Sequence, residues 1–217
     1  MTEEGFIRIQ PVDLEDFFRL EYRSGRITSL LTDERMHLVP GDWWEKLSEK
    51  LLRELREDAA PAIHLIGYTL GSALVEELKA NIRDTEALAK HLTDFAAAAG
   101  WGVISMAGDL RQGRSYIVSV VDCVFCESKV LGQSPECTFL ASTIEGMADR
   151  IYGGTHRVSE TRCSAKGEAL CQFYVEGGPV SSKASPREGS IPLSDWESVW
   201  ASAIPAILLS ERGHQAP

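Results

Sequence analysis

The chain has 217 residues, 44% hydrophobic and 25% charged, a composition typical of a globular protein with one hydrophobic core. Acidic residues exceed basic ones, and the net charge of −10 argues against nucleic acid, because binding a phosphate backbone needs clustered Lys and Arg. No apolar stretch is long enough to cross a bilayer, and the N-terminus lacks the pattern of a signal peptide. We therefore expect a cytoplasmic protein, in which the five cysteines are metal ligands or free thiols rather than disulfides.

The first half of the chain predicts helices after a mixed start. The pattern indicates a strand at residues 6–9 and a short helix at residues 14–22. Apolar side chains at helical spacing then predict three longer helices, from Trp43 to before Pro61, over residues 62–79 and over residues 85–99.

The second half alternates strands with one more helix. Two strands are predicted on either side of a polar turn, over residues 101–105 and 116–120. A helix over residues 137–152 follows, and then a second hairpin with strands at 156–163 and 171–175. The order predicts an α+β fold, an antiparallel sheet of two hairpins packed with helices. A linker rich in Gly, Pro and Ser at 177–191 precedes a last amphipathic helix at 195–210.

Four polar residues in the second half have the chemistry of a metal site. Cys163 and Cys171 flank a tight turn, so a hairpin brings their sulfurs together, and Glu160 lies three residues before Cys163. Cys137 begins the preceding helix, where the helix dipole favours a thiolate. Three thiolates and one carboxylate suit a closed tetrahedral zinc site.

Other interpretations of the cysteines remain open at this point. Cys123 and Cys126 form a C-x-x-C step that could join Cys163 and Cys171 in a four-cysteine site, or act as a redox dithiol. All five could instead be buried free thiols, which are common in cores. If the Cys137 set is correct, Cys163→Ser or Cys171→Ser gives poorly folded protein, whereas Cys123→Ser and Cys126→Ser have mild effects.

Several motifs together resemble the 4-vinyl reductase domain family over residues 60–176. They are G-x-x-x-G at Gly67 and Gly71, G-W-G at residues 100–102, the cysteine-led helix at Cys137, and E-x-x-C-x-A-x-G-x-x-x-C over residues 160–171. In family members that sense phenolic compounds, zinc is held at positions that match Cys137, Glu160, Cys163 and Cys171. The resemblance therefore implies a structural zinc ion on these four residues.

The resemblance also implies a fold, a set of boundaries and an oligomeric state. The family's fold is similar to that of vesicle-tethering subunits and commonly dimerises. It places the zinc-containing ligand-binding domain at residues 59–176. Residues 1–58 then form an N-terminal segment and candidate dimerisation region, 177–191 the linker, and 192–217 a C-terminal helix and tail. We expect a homodimer.

The function implied by the resemblance concerns a bound aromatic molecule. Stand-alone family members act in bacteriochlorophyll biosynthesis in photosynthetic organisms, which implies a binding protein for a tetrapyrrole of the magnesium porphyrin or vinyl-protochlorophyllide type. Such a carrier would work beside biosynthetic enzymes such as magnesium chelatase. The family name implies reduction of a vinyl group, but the sequence has no nucleotide-binding or iron–sulfur motif that would supply electrons, so we favour a carrier over an enzyme.

Two other functions are compatible with the same residues. One is a sensor domain for a small aromatic effector, and pocket size separates it from a tetrapyrrole carrier. The other is a scaffold that binds only proteins. In the family, the ligand pocket lies between the early helices and the sheet. The candidate ligand-binding residues are Trp101, Tyr116, Phe139, Met147, His64 and His91.

Overall fold

The computed structural model describes residues 5–7, 13–21, 23–30, 33, 35–37, 39–108, 110, 115–126 and 137–177. They belong to one compact unit, residues 1–182, and a second unit spans residues 183–217. Except for Gly177, the linker predicted at 177–191 lies outside the described residues, as does the helix predicted at 195–210.

Twelve helices and strands are described, in addition to short 3-10 turns. In chain order they are β1 (Gly5–Ile7), β2 (Phe18–Glu21), β3 (Arg26–Ser29), β4 (Arg35–Met36), α1 (Trp43–Leu55), α2 (Ala59–Lys79), α3 (Thr85–Ala98), β5 (Val103–Gly108), β6 (Ser115–Val121), α4 (Thr138–Tyr152), β7 (His156–Arg162) and β8 (Cys171–Gly177).

The main sheet has five antiparallel strands in the order β1-β5-β6-β8-β7. Its centre consists of the two predicted hairpins, β5–β6 and β7–β8, which join where β6 pairs with β8. Alternate residues of β5, β6 and β8 are buried, and they pack against α3 and α4 in one hydrophobic core. The predicted α+β fold, with two hairpins packed with helices, is confirmed.

A close contact between α2 and α4 holds the second layer of helices. Gly67 and Gly71 of α2 are buried against α4, and a Cβ at Gly71 would overlap the backbone carbonyl of Thr143. From the other side, a Cβ at Gly146 would overlap the carbonyl of Tyr68. The two backbones therefore touch, which only glycine permits at these positions.

The helix predicted at residues 14–22 is wrong. Only Leu14–Asp16 form a single 3-10 turn, and β2 follows it and pairs with β3 in a hairpin. The apolar side chains of Phe18 and Leu20 recur at every second position, which is the period of a strand. Gly25, with φ of +63°, permits the tight turn between the two strands.

The boundary expected at Pro61 also differs. Helix α1 ends at Leu55, where Arg56 adopts a φ of +51°, and α2 begins at Ala59. Pro61 therefore lies in the first turn of α2. Proline is tolerated there because the first amides of a helix have no partner within the helix.

Candidate metal centre and ligand cavity

All five cysteines converge on one buried cluster beside the start of α4. Cys123 precedes and Cys126 ends the 3-10 turn after β6, Cys137 is the N-cap of α4, Cys163 follows β7, and Cys171 begins β8. Each is at most 5% exposed, and none forms a disulfide. The cluster therefore joins three separate parts of the chain with thiol groups alone.

The four ligands predicted from the sequence lie together within this cluster. The ligand atoms of Cys137, Glu160, Cys163 and Cys171 are all within 4.8 Å of one another. Cys137 Sγ is 4.0 Å from Cys163 Sγ and 3.9 Å from Cys171 Sγ. Sulfurs bound to one tetrahedral zinc ion at about 2.3 Å lie roughly 3.8 Å apart, so these separations fit a single ion.

Glu160 gives a second indication that the donor set fits a cation. Its Oε2 accepts a hydrogen bond from the backbone N–H of Cys137 at 2.9 Å. Its Oε1 is buried and has no hydrogen-bond partner among the described residues. Burial raises the pKa of the Glu160 carboxyl, although the bond from Cys137 opposes this shift. A buried oxygen without a partner is costly, and a metal ion would satisfy it.

A second group of four donors overlaps the first. It consists of Cys123, Cys126, Cys137 and Cys171, with Cys126 Sγ at 2.7 Å from Cys137 Sγ and 3.5 Å from Cys171 Sγ. The four-cysteine alternative therefore includes Cys137 where the sequence suggested Cys163. Asp122, with φ of +58°, turns the chain back after β6 and carries both thiols of the C-x-x-C step into the cluster.

Hydrogen bonds among the thiols distribute protons unevenly. Bonds from neighbouring thiols, from Cys123 first, lower the pKa of Cys126 to about 6 and also lower that of Cys171. The same bonds raise the pKa of Cys123 and of Cys137. Burial raises the pKa of Cys163 to about 12. Neighbouring thiolates repel one another, so a full set of thiolates in this cluster requires a bound cation.

Ser164 provides a further partner for sulfur. Its backbone N–H donates to Cys171 Sγ at 3.4 Å, and its hydroxyl oxygen lies 3.3 Å from the same sulfur. Hydrogen bonds to the charged form of a group favour that form. The tight turn between β7 and β8 is therefore built to stabilise a thiolate at Cys171.

An apolar cavity of about 50 Å³ lies in the core between α3, α4 and the strands β5 and β6. Of the predicted ligand-binding residues, Trp101, Tyr116 and Met147 line it. Its walls are otherwise mostly aliphatic, and the hydroxyls of Thr93 and Thr143 donate to carbonyls of their own helices. Burial raises the pKa of Tyr116 well above its usual value, so its hydroxyl stays protonated.

The other three predicted ligand-binding residues lie elsewhere. Phe139 stacks on Trp44 with ring centroids 3.9 Å apart. His64 Nε2 is 3.3 Å from Glu145 Oε2. The ring of His91 packs against Phe17, at 5.2 Å between centroids. These side chains are on the correct helices but on faces that do not reach the cavity.

Sequence reasoning missed the small residues that create the cavity. Ala89 and Ala96 on α3 both line it, and they are seven residues apart on one face of the helix. Larger side chains there would fill the space. Two alanines at this spacing, opposite a strand, are the signal that could have indicated a cavity.

No helix in the described part of the chain combines the length and the apolar character needed to cross a membrane. The longest, α2, has 21 residues and several charged or polar ones.

The fold is shared with a sensory protein. The phenol-responsive sensory domain of the transcription activator PoxR, solved with phenol, superposes with a TM-score of 0.60. The alignment has 17% identity and covers 76% of this chain and 86% of that domain. The chain therefore belongs to a class of α+β domains that includes a small-molecule sensor.

The family follows from the second half of the chain. Residues 116–177, which contain every cysteine and Glu160, match the model of the 4-vinyl reductase domain. The chain belongs to the 4-vinyl reductase domain family, and the family predicted from its motifs is confirmed. An uncharacterized protein of Methanocaldococcus jannaschii is 25% identical over 140 residues, 64% of this chain and 69% of that protein.

Two further solved structures are similar at a lower level. A vinyl-4-reductase family protein from Methanocaldococcus jannaschii has a TM-score of 0.48 and 17% identity, covering 66% of this chain and 85% of that one. A trafficking protein particle complex subunit 3 from Naegleria fowleri, covalently bound to palmitic acid, has a TM-score of 0.47 and 12% identity. That alignment covers 66% of this chain and 95% of the subunit.

Proposed function

We propose that this chain is a binding domain for a small, mainly apolar molecule of about one aromatic ring, and that it acts as a sensor. The observation that carries the proposal is the apolar cavity of about 50 Å³ in the core. One water molecule needs about 10–15 Å³ of such space, so the cavity admits a molecule several times larger than water. Tyr116 supplies a protonated hydroxyl at its wall, which suits a ligand with one polar group.

The size of the cavity argues against the tetrapyrrole carrier expected from the family resemblance. A ligand of that size needs a site near the upper end of the usual range of about 300–1,000 Å³. A role in bacteriochlorophyll biosynthesis beside magnesium chelatase would need a much larger opening of the core. The sensor of a small aromatic effector is therefore the better-supported function. PoxR, which has the same fold, responds to phenol.

We also propose that Cys137, Glu160, Cys163 and Cys171 hold a structural zinc ion. Bound zinc would supply a closed tetrahedral cross-link and no catalytic position. These residues fix the β7–β8 turn to the first turn of α4. Because Leu140, on the same first turn of α4, lines the cavity, the centre would position one of the cavity's walls.

The domain boundaries and the dimer are part of the same proposal. We propose residues 59–176 as the ligand-binding domain and residues 1–58 as the dimerisation region. Support comes from seven large hydrophobic side chains exposed in this segment. They are Leu14, Leu20, Leu30, Val39, Trp43, Leu52 and Leu55.

A pair of variants on one strand tests the ligand site. Val118 of β6 is buried at the cavity wall, whereas its neighbour Ile117 points to the opposite face and is 38% exposed. We expect phenol, followed by isothermal titration calorimetry, to bind the unmodified chain and the Ile117→Phe control. In Val118→Phe the added ring fills the cavity, and affinity should fall at least about tenfold, or about 1.4 kcal/mol.

The same titration with a magnesium porphyrin, followed by absorbance, separates the two functions. Binding of single-ring compounds and no binding of the porphyrin supports the sensor. If the porphyrin binds and phenols do not, or if Val118→Phe binds phenol as well as Ile117→Phe does, the proposed function is wrong.

A further inference from the structure

The buried cluster contains more metal donors than one ion can use. Five thiols and the Glu160 carboxylate form two groups of four donors, and these groups have Cys137 and Cys171 in common. A structural zinc ion takes four donors in a tetrahedron. Whichever group held a single ion, two further donors would remain buried directly beside it.

The donors left over by a single ion have no other function in the described part of the chain. With the ion on the Glu160 group, Cys126 Sγ would stay 3.5 Å from Cys171 Sγ and 3.7 Å from Cys163 Sγ. With the ion on the Cys123 group, Glu160 Oε1 would remain buried without a hydrogen-bond partner. Either arrangement leaves a polar group that is dehydrated and unsatisfied, which is costly.

We infer that the cluster is a binuclear metal centre in which the thiolates of Cys137 and Cys171 bridge two divalent, thiolate-binding ions such as zinc. The first ion is completed by Glu160 and Cys163, and the second by Cys123 and Cys126. Every donor of the cluster is then used, and each ion has four ligands. This inference rests on the zinc site proposed above and adds a second ion to it.

The charges and the local structure agree with two ions. Five thiolates and a carboxylate in a buried cluster repel one another strongly, and two divalent cations offset most of that charge where one would leave most of it. The shared position of Cys171 is the one whose sulfur receives the Ser164 N–H bond. The C-x-x-C step, with Cys126 N–H bonded to the Cys123 carbonyl at 3.0 Å, forms the compact turn that a chelating pair requires.

Metal stoichiometry tests the inference directly. The full-length chain would be purified with zinc in the medium and analysed by native mass spectrometry and by elemental analysis. We expect two ions per chain in the unmodified protein and in Ser159→Ala, a control at an exposed position next to Glu160. Cys126→Ser should retain one ion, because the Glu160 group stays complete, and Cys137→Ser should lose both.

The outcomes distinguish this inference from the proposed zinc site. One ion per chain, unchanged by Cys123→Ser and by Cys126→Ser, overturns the binuclear centre and leaves the proposed zinc site intact. No bound metal overturns both. Since the stoichiometry of the unmodified chain is itself decisive, a variant that fails to fold does not weaken the test. Cobalt substitution gives a second readout, because the thiolate-to-cobalt absorbance should be smaller in Cys126→Ser than in Ser159→Ala.

Discussion

At the scale of single residues, Glu160 and His91 are alike in having a buried polar atom without a hydrogen-bond partner among the described residues. Glu160 Oε1 lies in the cysteine cluster, where a cation satisfies it. His91 Nε2 lies beside Phe17, away from the cluster. The same local feature therefore has a functional reading at one position and a purely energetic consequence at the other.

His91 should make the stability of the protein depend on pH. Burial lowers its pKa, helped by Lys90 and opposed by Asp94. The unfolded chain takes up a proton near the ordinary histidine pKa of about 6.5, before the folded chain does. Stability is therefore full above that pH and falls as the pH drops through it.

Urea unfolding at pH 8 and at pH 5.5 measures this effect. His91→Gln should lose less stability than the unmodified chain over that interval. The control is His37→Gln, at an exposed position, which should behave like the unmodified chain. An equal loss in all three proteins would contradict the assignment.

Spacing in the sequence was sufficient to select Cys137, Glu160, Cys163 and Cys171, because a hairpin and a helix start place them predictably. It could not place Cys123 and Cys126, since the reversal at Asp122 depends on one residue with positive φ. For His64 and Phe139, helical periodicity identified the helix but not which neighbour its face meets. That depends on tertiary packing.

At the scale of elements, the α2–α4 contact is the most constrained packing in the described chain. Gly71 faces the backbone of α4 directly, so no side-chain rotation can relieve an added methyl group. Helix propensity alone favours alanine over glycine by about 1 kcal/mol. The overlap outweighs this, because the two helices would have to separate.

Gly71→Ala should therefore reduce the free energy of unfolding by about 1–3 kcal/mol, in spite of the better helix former. Chemical denaturation monitored by circular dichroism measures it. The control is Ala73→Ser at an exposed position of the same helix, which we expect to change stability by less than about 0.5 kcal/mol. A stabilised Gly71→Ala variant would mean that the helices are further apart.

The elements with long periodic patterns were predictable from the sequence. Helices α2, α3 and α4 and the strands β5 to β8 carry enough apolar positions to define their period. The β2–β3 hairpin was not, because four-residue strands contain only two apolar positions each and local spacing also suits a helical turn. The pairing with β3 decides between the two.

At the scale of the whole molecule, hydrophobic surface is concentrated in the N-terminal segment. Leu52 and Leu55 near the end of α1 are both 40% exposed. Burial of apolar area between two copies gives about 25 cal/mol per Å², so a shared surface of this kind would favour association. The family likeness could suggest the dimer, but the sequence alone could not identify which apolar residues remain exposed.

We expect the full-length chain to be a dimer, measured by light scattering coupled to size-exclusion chromatography. Leu52→Glu together with Leu55→Glu should shift it to the monomer, since buried charges without partners are costly. Ile117→Glu, on the exposed face of the main sheet, is the control and should remain dimeric. A monomeric unmodified chain, or loss of the dimer only in the control, would contradict the proposed dimerisation region.

The account as a whole depends on a metal ion in the cysteine cluster. Anomalous diffraction at the zinc absorption edge, on crystals of the full-length chain, tests this most directly. We predict a peak about 2.3 Å from the sulfurs of Cys137, Cys163 and Cys171 and about 2.0–2.2 Å from a Glu160 oxygen. Well-ordered side chains at these positions with no anomalous peak between them would contradict it.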